Sequence, residues 1–132
     1  MVPNVSETID LLAANAFALN AKAVAARKAS AFAEAERLKG EADAFELLAW
    51  ELSEHGDVTA LLDALPGMAS AANGLALQDE REASDREAQG DLGASRYHAR
   101  SARYSHGLVE GYGRASELLG GPHAGKPPAP VI

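Results

Sequence analysis

Three arginines, Arg96, Arg100 and Arg103, share one side of a helix drawn through them, with Tyr97, His98, Tyr104 and His106 interleaved. Cations alternating with aromatic rings can hold a phosphate backbone and stack on its bases. Two facts weigh against that chemistry here. The tyrosines belong to a seven-residue series that reads as core, and the arginines lack a flanking basic run on a chain of net charge −7. A nucleic-acid partner is not expected, and the arginines stand instead as candidate protein-contact residues, with Phe32 and Trp50. A second polar block over 78–91 contains Asp79, Glu80, Arg81, Glu82, Asp85, Arg86 and Glu87. Arg81 with Asp85 and Glu82 with Arg86 are (i, i+4) pairs, each worth a few tenths of a kcal/mol on a solvated helix face. An acidic docking surface, DNA mimicry included, needs a denser run of acids than this.

Other chemistries find less support. The four histidines, His55, His98, His106 and His123, include no pair spaced by four and no Glu-x-x-His, so the di-iron bundle signature is missing. Glu51 with His55 and His106 with Glu110 are isolated (i, i+4) pairs. With no cysteine, thiolate catalysis, disulfides and Cys-zinc sites are excluded. Neither a Gly-x-Ser-x-Gly elbow nor a Walker glycine loop occurs. No enzyme activity, metal or cofactor is expected. Gly56-Asp57 and Gly90-Asp91 stand 34 residues apart, the tetratricopeptide period. That repeat fails, because Pro66 interrupts its second helix and Asp79, Glu82 and Arg86 fall where large apolar residues belong.

The elements carrying these residues follow from periodicity. Phe17, Val24, Ala31, Leu38, Phe45 and Leu52 recur every seven residues, and Ala14, Ala21, Lys28, Ala35, Ala42 and Ala49 run three ahead of them. Spacings alternating three and four place both series on one helical face, the pattern of a helix-helix seam. Asn4, with Glu7 three residues on, predicts an N-cap. From there a helix is expected over about 5–55, with Gly40 tolerated or acting as a hinge, and His55-Gly56 ending it. Asp57 is expected to cap a short corner helix over 58–65, stopped by Pro66-Gly67. A second long helix is expected over about 68–119, with a second series through Ala69, Ala76, Ala83, Gly90, Tyr97, Tyr104, Gly111 and Leu118. Gly90 and Gly93 could break it, with Asp91 as a new cap.

The expected fold is all-α: a long antiparallel hairpin, coiled-coil-like, that can bend into a small bundle. One helical domain spans 1–119, and a Pro- and Gly-rich tail, 120–132, follows. Folding at the corner would bring Phe17 near Tyr104, Val24 near Tyr97, and the misfit Lys28 near Glu87 and Asp91. The 29 alanines and only 5% aromatic residues suit closely approaching helices rather than a thick core. Charge is uneven: +1 over 1–40, −10 over 41–90 and +2 over 91–132, which predicts a rod with one acidic tip. Arginine outnumbers lysine eight to four, a bias that a GC-rich bacterial or bacteriophage genome would produce.

No continuous run of about 18 apolar residues is present, so no membrane span is expected. A cytoplasmic protein, or a virion component if phage-encoded, follows by default. Leu11, Phe32 and Trp50 lie off the main seam and need cover. The expectation is therefore a non-catalytic, oligomerising structural or assembly protein, with itself or another protein as partner. The alternative is a small binding protein that acts on a host macromolecule through the acidic tip or the arginine face.

Overall fold

The computed structural model describes residues 4–120 as four helices: α1 (Val5–Lys28), α2 (Phe32–His55), α3 (Val58–Ala88) and α4 (Leu92–Leu118). The all-α class agrees with the periodicity. Met1–Pro3 and the tail beyond Gly120 lie outside the described residues. Caps account for most boundaries. Asn4 accepts from the backbone N–H of Ser6 and Glu7, Asp57 from Ala60 and Asp91 from Ala94. Gly56 takes the left-handed conformation that ends α2, at φ 64°.

Three sequence expectations are corrected. The helix expected over 5–55 breaks at 29–31, not at Gly40. Ser30 turns left-handed there, at φ 61°, which costs an L-residue roughly 1–2 kcal/mol. Its N–H bonds the Arg27 carbonyl, and the Ala31 N–H reaches back to the Ala26 carbonyl. The turn between α3 and α4 repeats these bonds around Gly90, from Gly90 to Glu87 and from Asp91 to Arg86. Burial of Leu12 and Leu19 from α1 with Phe45 and Leu48 from α2 offsets the strain, at about 1.5–3 kcal/mol per large side chain.

Secondly, 58–65 is not a separate corner helix. It forms the first turns of α3, which continues through Pro66. Val58, Leu61, Leu65, Ala72 and Ala76 make one buried stripe across the proline, while Pro66 and Gly67 face solvent. Water can then satisfy the Leu62 carbonyl that the proline leaves without a donor. Thirdly, the long helix expected over 68–119 is divided at Gln89-Gly90-Asp91, the break that Gly90 and Asp91 allow.

The result is two short hairpins packed as a small helical bundle, the bent form of the expected hairpin. α1 packs on α2, α3 packs on α4, and the hairpins join through α2 and α4. Contacts ascend together along α2 and α4, so these helices run parallel. Gly40 lies against Tyr104 and Leu108, Gly107 against Arg37 and Glu41, and Gly111 against Glu41 and Ala44. A Cβ on Gly40 would stand 2.0 Å from the Tyr104 carbonyl oxygen, and one on Gly107 2.0 Å from that of Arg37. Only glycine permits two backbones to come this close. Gly40 is thus a contact residue rather than a hinge.

The expected pairing of Phe17 with Tyr104 and of Val24 with Tyr97 does not form, because α1 lies against α2. Phe17 is 79% exposed and Val24 54%. Lys28 is likewise exposed at the end of α1 rather than held by Glu87 and Asp91. The face that α1 buries is Thr8, Leu12, Ala16, Leu19 and Ala23. Of the leading series, Leu38, Phe45 and Leu52 of α2 are buried as expected.

Gly40→Ala and Gly107→Ala should each destabilise the protein by about 1–3 kcal/mol or more in urea unfolding, despite alanine's higher helix propensity. Gly113→Ala, whose Cβ would meet nothing within 4 Å, should instead stabilise it by about 0.5–1 kcal/mol.

Candidate functional site

Charged side chains ring the glycine contact. Arg37 of α2 is the hub. Its Nε donates to Glu34 at 3.1 Å, its Nη1 donates to Glu41 at 3.0 Å, and the same nitrogen bonds Glu110 of α4. The other Glu41 oxygen lies 2.8 Å from Arg114 Nη1, an ionic contact without hydrogen-bond alignment. Glu41 is 1% exposed, because the close approach of Gly107 and Gly111 roofs it over. Burial raises its pKa, and Glu110 adds to the shift; Arg114 and Arg37 oppose it without cancelling it. One turn earlier, Glu36 accepts from Arg100 at 3.4 Å and from Arg103 at 3.3 Å.

The arginines therefore share a side of α4, as their spacing predicts, and that side faces α2. Arg100 and Arg103 are engaged by Glu36, while Arg96, nearer the start of α4, is exposed. Trp50 is 57% exposed and borders a shallow groove with Asp43, Glu46, Leu47 and Tyr104. A second open groove adjoins it, lined by Arg27, Glu36, Lys39, Tyr97, Arg100 and Tyr104. Tyr104 divides the two. Its hydroxyl donates to Asp43 at 2.7 Å, and burial followed by that bond pushes its pKa well above the usual range. Phe32, at the start of α2, is also exposed.

Across α3 and α4 the polar block is partly consumed by pairing. Asp79 accepts from His98 Nδ1 at 2.8 Å and from the Ser101 hydroxyl at 2.7 Å. Burial raises its pKa, but these two bonds outweigh burial and leave it lowered. Glu80 bonds His106, which turns to α3 and not to Glu110 of its own helix. Glu82 with Arg86 and Glu51 with His55 form the expected (i, i+4) pairs, at 3.5 and 3.4 Å. Among the described residues no three histidine or carboxylate side chains converge as a metal site; His123 lies outside them.

The residues that sequence reasoning missed are Glu36, Arg37, Glu41 and Arg114, and Glu110, read only as a partner of His106, pairs with Arg37 instead. Arg37 with Glu41 is an (i, i+4) pair, and Gly107 with Gly111 sets two small residues one turn apart, both readable signals. Their meeting across α2 and α4 is not readable from either helix alone.

The second surface is apolar. α1 is long and apolar enough to cross a membrane by length and composition, a property missed by the search for an unbroken apolar run. In this fold its inner face packs on α2 and its outer face is open. No protein-family model matches the chain, and no curated protein or solved structure is significantly similar to it.

The Glu41 environment predicts a signed pH effect. Its raised folded-state pKa gives a stabilising contribution fully present below its ordinary value of 4.5 and lost as pH rises through the raised value. The stability difference between wild type and Glu41→Gln, from urea unfolding, should shift toward wild type as pH falls from about 7 to 5. A shift the other way would mean that the arginines hold Glu41 ionised.

Proposed function

We propose that this chain is a non-catalytic, self-associating structural or assembly protein. The observation that carries the reading is the outer face of α1. The most apolar helix leaves Phe17 79%, Val24 54% and Leu11 41% exposed, and Phe32 and Trp50 add further uncovered apolar surface. The perturbed polar groups support a structural role. Glu41 and Asp79 are held by cations and hydrogen bonds, and Tyr104 braces Asp43 across the α2–α4 contact. A bacterial or bacteriophage source accords with arginine outnumbering lysine eight to four, the bias of a GC-rich genome, and a particle component is the form this reading takes there.

The rival reading, a monomeric protein that binds a host macromolecule through an acidic tip or the arginine face of α4, would take the turn between α3 and α4 as its acidic tip. Asp85, Glu87 and Asp91 are exposed there. The turn projects roughly 10 Å beyond that between α1 and α2, as the α2–α4 register requires.

Absolute mass by light scattering after size exclusion distinguishes the two. Self-association predicts a mass above the 13.7 kDa of one chain, rising with concentration and persisting in high salt because the contacts are apolar. A constant 13.7 kDa across concentrations would overturn the reading in favour of the monomeric binder.

A further inference from the structure

Half of the seven-residue seam has no partner among the described residues. Asp10, Ala14, Phe17, Ala21, Val24 and Lys28 follow the alternating three-four spacing along α1, and all six are exposed. The face buried against α2 is a different one, through Leu12, Ala16 and Leu19. The outer stripe runs about 27 Å from Asp10 to Lys28 and carries charge only at its two ends, of opposite sign. Neither end charge has an ion-pair partner in the chain among the described residues.

This pattern is complementary to itself when a copy is laid antiparallel. With the two-fold axis level with position 19, Phe17 of one copy falls opposite Ala21 of the other. In the same register Ala14 falls opposite Val24, and Asp10 opposite Lys28. Each large side chain then meets an alanine, and each end charge meets its opposite. Every layer also pairs one seam series with the other, as antiparallel coiled coils require. A parallel copy would set Asp10 beside Asp10 and Lys28 beside Lys28.

A bilayer fits less well. Immersing α1 would strip Leu12 and Leu19 from the core they share with Phe45. We propose that the outer face of α1 is a homotypic interface, at which two copies pair α1 against α1, antiparallel and centred on position 19. This deepens the self-association reading and rests on it. A single seam of this length lies at the small end of specific interfaces, so the pairing is concentration-dependent.

The absence of cysteine makes the test clean. Full-length protein carrying both Ala14→Cys and Val24→Cys should oxidise to a covalent dimer, whereas either substitution alone places its thiols about 15 Å apart and should not. Phe17→Glu should return the mass to 13.7 kDa at concentrations where wild type associates. Because Phe17 is exposed, the variant's thermal unfolding should match that of the wild type at concentrations low enough to leave both monomeric.

Phe17→Glu protein that still associates would overturn the α1 seam while leaving self-association standing. Wild type that stays at 13.7 kDa throughout would overturn both. Monomeric wild type that co-sediments with phosphatidylcholine–phosphatidylglycerol vesicles, when Phe17→Glu protein does not, would overturn the pairing in favour of a lipid surface.

Discussion

The close approach of α2 and α4 through Gly40, Gly107 and Gly111 determines what every other face can do. Where two backbones come within the space of a missing Cβ, the partner groups are carbonyl oxygens and Cα hydrogens, and dispersion acts over a long, flat contact. The charged groups around it tie that contact to one register. Glu36 takes Arg100 and Arg103, Arg37 takes Glu110, and Glu41 meets Arg114. Burying Glu41 is costly in itself, and the two arginines reduce the cost without removing it. With one side of α2 given to α4 and another to α1, α1 packs mainly on α2 alone. The exposed apolar surface of α1 is a direct consequence.

Legibility in the sequence followed the local chemistry of each boundary. Asn4, Gly56, Asp57 and the Gly90-Asp91 pair carry their own capping groups, and the structure uses all of them. The turn at Ala29-Ser30-Ala31 makes the same backbone bonds as the turn at Gly90, but with no glycine and no capping side chain. Nothing in those three residues opposes a helix; the fold-back is driven by burial far from it. Pro66 misled in the opposite direction. Its local penalty is real, but a buried stripe spanning the proline keeps α3 whole.

The candidate surfaces were legible in the same uneven way. Arg96, Arg100 and Arg103 do share a side of α4, yet only the assembled fold shows Glu36 between the last two. The heptad series is divided at Ser30 into halves with different fates: Leu38, Phe45 and Leu52 are buried within the chain, whereas Phe17 and Val24 are exposed. A periodic pattern specifies that a face wants a helix. It does not specify whether that helix belongs to the same molecule.

The outward-facing Phe17–Val24 stripe depends on α1 folding back along α2. The most direct test of that fold-back is the distance between spin labels placed through Ser6→Cys and Glu54→Cys, diluted with unlabelled protein so that only pairs within one chain contribute. Fold-back at Ser30 predicts about 10–20 Å, given neighbouring helix axes 8–10 Å apart and the reach of the labels. A distance of about 70 Å, that of an uninterrupted helix through both positions, would contradict it.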